Sequence, residues 1–308
     1  MKVDRKSKFT GALIGTAVGD ALGAPVEGYS MEQVRSVYPP EEKGWEMVYG
    51  LYTDDTEMMI GVAESLITNK GFNGADMART FVQNYDEKRG YGPGSKEALK
   101  RIRDGESWEE ASTKLFGGEG SYGNGAAMRI APVGLFYYDN TDALREVAYK
   151  SSHITHSHEL GKEGAALQAF AIALAVRGQK EDMLFELKEF VQNEEYESKL
   201  RKIELLLDKD ASRREIISEL GNGEAAFNSV PTAIYSFLRF DHFEDGVAYA
   251  VSLGGDTDTI GAMTGAISGA YYGEGGIPND WITQLEDGEK GKSYIKRLAE
   301  ALYHCKGL

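Results

Sequence analysis

The sequence predicts an all-α protein, a single multi-helix domain spanning 1–308, and three observations carry that expectation. Apolar residues recur three and four positions apart in several segments, as one face of a helix requires. Two further segments are apolar or small all round, which suits helices enclosed by other helices. Candidate strands are few, and no Pro-rich, Ser-rich or low-complexity linker divides the chain.

Taken in order, "FTGALIGTAVG" at 9–19 is fairly apolar and follows Lys2, Arg5, Lys6 and Lys8, a superficial likeness to a signal peptide. Asp20 and the many glycines weaken that likeness. In "EMMIGVAESLI", Met58, Met59, Val62, Leu66 and Ile67 fall at helical spacing. "GAALQAFAIALAV" at 164–176 and "GAMTGAISGAYYG" at 261–273 are nearly uncharged, and their small residues permit close helix approach. Both are shorter than the ~20 residues of a bilayer span, so no membrane association is expected. "DMLFELKEFVQNEEYESKLRKIELLL" reads as helical through Leu184, Leu187, Phe190 and Val191, with its charges on a solvated face, so no partner site is expected within 180–220.

Composition narrows the function. With 49 acidic against 34 basic residues, a net charge of −15, the chain has no broad positive field for a nucleic-acid backbone, and direct DNA binding is not expected. An anionic substrate must then be met locally, by a metal ion or by backbone amides. The single cysteine, Cys305, excludes an internal disulfide and a multi-cysteine metal site, and a reducing, cytoplasmic location is expected.

Two clusters far apart in the chain are the most informative feature: "TDDT" at 53–56 and "DTDT" at 256–259. Either alone is more simply a helix cap, because Asp and Thr oxygens accept hydrogen bonds from the first amides of a helix. Each holds more oxygens than a cap requires. Together Asp54, Asp55, Asp256 and Asp258, with the hydroxyls of Thr53 and Thr259, supply a hard all-oxygen environment suited to magnesium or manganese. Two cations fit four crowded carboxylates, which otherwise repel or raise one another's pKa.

An EF-hand frame on "DTDTIGAMTGAI" fails, since Ile260 and Ile267 stand where oxygen ligands belong. "GEGSYG" at 118–123 spells a dinucleotide fingerprint but lacks the βαβ setting that gives it meaning. The same glycine-rich loop, running into "NGAAMRIAPVG", has two open readings: simple turns, or free amides for a pyrophosphate. His153, His156 and His158 form a compact group that fits a metal, a polar surface or a substrate contact.

"GALIGTAVGDALGAPVEG", "YTDDTEMM", "SYGNGAAMRIAP", "THSHELGKEGAALQA" and "LGGDTDTIGAMTGAISGAYYG", in that order, resemble the ADP-ribosylglycohydrolase (ADP-ribosylhydrolase) superfamily over nearly the whole chain. "ELGNGEAAFNSVPTAIYSFLR" at 219–239 is similar to the branch typified by ADP-ribosylhydrolase 3, which cleaves serine-linked ADP-ribose and poly(ADP-ribose). The resemblance implies an all-α fold with a dinuclear magnesium centre held by Thr53, Asp54, Asp55, Asp256, Asp258 and Thr259. It implies catalytic roles for Glu27, in "APVEG", and for Asp54 and Asp55.

On the same resemblance Gly90, Phe116, Gly120, Ser121, Tyr122, Gly123, Asn124 and His156 bind the ADP-ribose, and Glu224 departs from an apolar residue in relatives. The implied partners are ADP-ribosylated proteins, poly(ADP-ribose) or small ADP-ribose conjugates. The alternatives are an arginine-ADP-ribose hydrolase of the same fold and a non-catalytic member, either an ADP-ribose reader or a crystallin-like structural protein.

Overall fold

The computed structural model describes residues 3–38 and 44–307; Lys2 lies outside them. Every regular element in those residues is helical. The one β-type pairing among the described residues is an isolated bridge between Gly123 and Ala225. Five helices position the site: α1 (Arg5–Gly23), α2 (Asp54–Asn69), α3 (Glu159–Arg177), α4 (Ala226–Arg239) and α5 (Thr257–Tyr272).

At the centre, α1 and α5 pack backbone against backbone. Gly11, Gly15 and Gly19 on α1 face Gly269, Gly265 and Gly261 on α5, and a methyl at any of these six positions would overlap the carbonyl oxygen of its opposite number. Glycine every fourth residue on both helices therefore sets how near they come. At the end of the pair the Thr257 hydroxyl donates to the Gly23 carbonyl at 2.9 Å.

This contact also explains the apolar N-terminal segment. Residues 5–26 are long and apolar enough to cross a bilayer by length and composition, yet an 18-residue apolar stretch within them is 89% buried inside the fold. Lys8, a charge in that run, is buried with its Nζ donating to the carbonyls of Ala175 and Val176, each at 3.0 Å. Those carbonyls lie in the last turn of α3, where oxygens lack intrahelical donors. Alanines and leucines of α3 continue the core: residues 164–176 are buried throughout.

The expected helical stretch at 182–207 is two helices, Met183–Phe190 and Glu194–Leu207. Apolar spacing runs on through the break, but Asn193 starts the second helix by accepting the Glu195 amide at 2.9 Å. The cap divides what periodicity joins.

Candidate active site

The start of α2 is built by two residues. Thr53 is its N-cap: its hydroxyl accepts the Asp55 amide at 3.4 Å and donates to Asp55 Oδ2 at 3.1 Å. Beneath it lies Asp20 of α1, fully buried, which accepts the Thr53 amide, the Thr56 amide at 3.1 Å and the Thr56 hydroxyl at 2.5 Å. Thr53 and Asp20 satisfy the capping role, and the carboxylates of Asp54 and Asp55 are surplus to it. Asp55 Oδ1 is buried with no hydrogen-bond partner among the described residues.

The start of α5 lies opposite. Gly254 and Gly255 adopt φ of +70° and +78°, turning the chain so that the Gly255 carbonyl accepts the Gly28 amide and its own amide donates to Tyr29, both at 2.8 Å. This ties the 27–29 loop to α5 and brings oxygens of Glu27, Asp256 and Asp258 within 4.8 Å of one another. The Asn124 amide group donates to Asp256 Oδ2 at 2.6 Å and to the Ser229 hydroxyl at 3.0 Å, linking the acidic cluster to the glycine-rich loop and to α4.

Crowding shows in the protonation balance. Burial, then the charge of Asp20, pushes Asp54 up to about 8. Burial and the neighbouring carboxylates hold Asp55 and Asp258 well above the usual carboxylate range. Enclosure in the cavity, followed by Asp256 and Glu224, raises Glu27. A buried oxygen without a donor, beside several carboxylates that resist ionising, is the environment a divalent cation relieves. The donor set is all oxygen, so the residues fit magnesium or manganese.

These groups line one wall of a cavity of about 450 Å³. Of the residues singled out from sequence, Glu27, Thr53, Asp54, Asp55, Gly90, Phe116, Ser121, Gly123, Asn124, His156, Asp256, Asp258 and Thr259 all line it. Gly120 and Tyr122 do not; they line an adjoining cleft of about 350 Å³ that shares Phe116, Ser121, Gly123 and Glu224 with the first. Phe116 is 61% exposed and Tyr122 50%, so two large rings stand open to solvent along the same loop.

The three histidines separate. His153 Nε2 meets the Glu109 carbonyl at 2.8 Å, His158 caps α3 by accepting the Leu160 amide at 3.1 Å, and only His156 faces the cavity. Three amides of the glycine-rich loop are not free. The amides of Gly120, Gly123 and Asn124 already donate to Leu115, Ser121 and Glu224.

Sequence reasoning passed over Asp20 and Arg89. A lone acid inside an apolar run was the available signal for Asp20. Arg89 is the one cationic side chain lining the cavity among the described residues, and it is engaged, donating to the Tyr52 carbonyl at 2.7 Å and to both Glu286 oxygens at 2.6 and 3.0 Å.

Comparison with known proteins agrees with this geometry. A family model described as ADP-ribosylglycohydrolase matches residues 1–307. The chain is 38% identical to ADP-ribosylhydrolase ARH3 of Mus musculus, over 92% of this chain and 89% of that protein. It is 39% identical to ADP-ribosylhydrolase ARH3 of Bos taurus, over 92% and 90%. A solved structure titled ADP-ribosylglycohydrolase-related protein complex superposes with a TM-score of 0.76 at 30% identity, covering 98% of this chain and 99% of that one. All-helical architecture, an acidic centre and a match along the full length agree: the chain belongs to the ADP-ribosylglycohydrolase family and is a hydrolase of that family.

Proposed function

We propose that the protein hydrolyses the O-glycosidic bond at C1″ of ADP-ribose, releasing ADP-ribose from serine-ADP-ribosylated proteins, from poly(ADP-ribose), or from both. The observation that carries this is the meeting of two surplus carboxylate sets, at the starts of α2 and α5, in one cavity whose lining includes the exposed ring of Phe116. The relatives named ADP-ribosylhydrolase ARH3 support this substrate class.

In this reading Thr53, Asp54, Asp55, Asp256, Asp258 and Thr259 hold two magnesium ions, with manganese as the substitute. Bound there, the ions would orient the ribose hydroxyls and activate water for attack at C1″. Glu27 lies against Asp256 and Asp258 at the cavity mouth, with its proton affinity raised by enclosure and by the charges of Asp256 and Glu224. It is therefore suited to carry a proton to or from the reacting oxygen as the oxocarbenium-like transition state forms. Phe116 and Tyr122 supply flat apolar faces for a base, and Ser121, Asn124 and His156 supply polar contacts for the ribose–diphosphate between.

The test is hydrolysis of serine-linked, arginine-linked and polymeric ADP-ribose side by side, with magnesium and with chelator. Release from serine or polymer that needs magnesium is expected. Turnover of the arginine linkage alone, or ADP-ribose binding with no turnover of any substrate, would overturn the proposal.

A further inference from the structure

Arg129 is a cation with none of its surface exposed, and no carboxylate lies within ion-pair distance of it among the described residues. Its guanidinium stacks 4.7 Å from the centre of the Phe81 ring. Nη2 donates to the Ser151 carbonyl at 3.0 Å, and Nη1 donates to the Thr155 hydroxyl oxygen at 2.8 Å. That oxygen in turn lies 2.7 Å from His156 Nδ1. An unpaired buried cation is costly, so its presence beside the cavity calls for a reason.

Hydrogen-bond accounting gives the chain a direction. A guanidinium only donates, so the Thr155 oxygen must accept from Arg129. Thr155 is fully buried, and its hydroxyl hydrogen has no acceptor among the described residues except His156 Nδ1. Nδ1 is therefore the acceptor, and the ring proton resides on Nε2.

Nε2 has no protein partner among the described residues, although His156 is only 5% exposed. It lies along the 123–125 loop: a methyl added at Gly125 would stand 2.9 Å from Nε2 and 2.7 Å from Cε1. The ring thus fills a slot kept open by glycine and aims one N–H into the cavity. Burial and the Arg129 charge push its pKa down to about 3, so the ring is neutral and is not a general acid at neutral pH.

We propose that Arg129 and Thr155 are positioning residues that fix His156 as its Nε2–H tautomer, so that this N–H donates to an oxygen of the ligand's diphosphate. A diphosphate oxygen only accepts, so it pairs with Nε2–H and would be repelled by the lone pair of the other tautomer. The donor function rests on the ADP-ribose reading of the cavity; the tautomer does not.

Nitrogen-15 NMR of the histidine rings in the intact, ligand-free protein reads the tautomer, and titration with ADP-ribose reads the donor. The wild type is expected to carry the proton on Nε2. Thr155→Val keeps the shape but removes the hydroxyl, and is expected to lose the single tautomer and to weaken ADP-ribose binding roughly ten-fold. Thr155→Ser restores both if the hydroxyl is the cause. A wild-type proton on Nδ1, or a Thr155→Val protein with unchanged tautomer and affinity, overturns the relay. An Nε2–H wild type that does not bind ADP-ribose overturns the donor role and the ligand reading together.

Discussion

Both carboxylate oxygens of Asp20 lie 3.0 Å from the backbone nitrogen of Thr53, 33 positions along the chain. The last turn of α1 thereby caps α2 from outside, supplementing the cap that Thr53 provides from within. Replacing Asp20 by Ala strands two amides and the Thr56 hydroxyl in a buried place. The expected cost is about 3 kcal/mol of folding stability, measured by urea denaturation. Magnesium affinity, followed by calorimetry, should fall with it because Thr53, Asp54 and Asp55 lose their anchor. Unchanged stability and affinity would remove Asp20 from the site.

Metal-free protein should lose stability as pH rises. Burial raises Asp20 from 3.8 to about 6 and Asp54 from 3.8 to about 8. Each folded-state pKa lies above the unfolded value, so the folded form holds extra protons between about pH 4 and pH 8. Stability present below that window is lost through it. On the proposed reading, bound magnesium would replace those protons and stabilise the folded form by mass action. The gain in Tm on adding magnesium to chelator-treated protein should therefore be larger at pH 8 than at pH 5. Equal gains at the two pH values would contradict the crowded-carboxylate account.

The α1–α5 contact gives a third stability prediction. Gly265→Ala places a methyl against the Gly15 carbonyl, a backbone atom that no side-chain rotation can move aside. A loss of about 3 kcal/mol is expected in denaturant unfolding. A variant at Gly288, where an added methyl meets nothing within 4 Å, serves as the control and should be nearly neutral.

Phe116 stands 61% exposed at the cavity rim, an arrangement that stability alone does not favour. If it stacks on the adenine base, Phe116→Ala should raise KM roughly ten-fold, with a smaller change in kcat and little change in Tm. Steady-state kinetics on a defined ADP-ribosylated peptide, with thermal melting alongside, check both halves. A fall in kcat at constant KM would place Phe116 in the chemistry instead.

Much of this architecture was legible in the sequence because its signals are local or symmetric. The 3.6-residue spacing at Met58, Met59 and Val62 located α2, and the small-residue run at 261–273 foretold close helix packing. The two Asp/Thr clusters announced themselves by excess, having more carboxylates than a cap can use. What stayed hidden depends on partners distant in sequence. Asp20 looks like an interruption of an apolar run until α2 lies against it. The convergence of Glu27 on Asp256 and Asp258 follows from the 28–255 backbone pairing, which no periodicity records. Likewise, His153, His156 and His158 are indistinguishable by spacing, and only the fold sends one into the cavity.

The glycine seam between α1 and α5 has one more consequence. Asp20 sits near the end of one helix of that pair, and Asp256 and Asp258 sit at the start of the other. Their separation is thus gauged by main chain touching main chain, the least adjustable ruler a protein has. Leucines and valines elsewhere in the interior can drift in size while that gauge stays fixed. A change in the spacing of the acidic clusters would then demand a change at the seam itself, while the cavity rim at Phe116 lies outside that gauge.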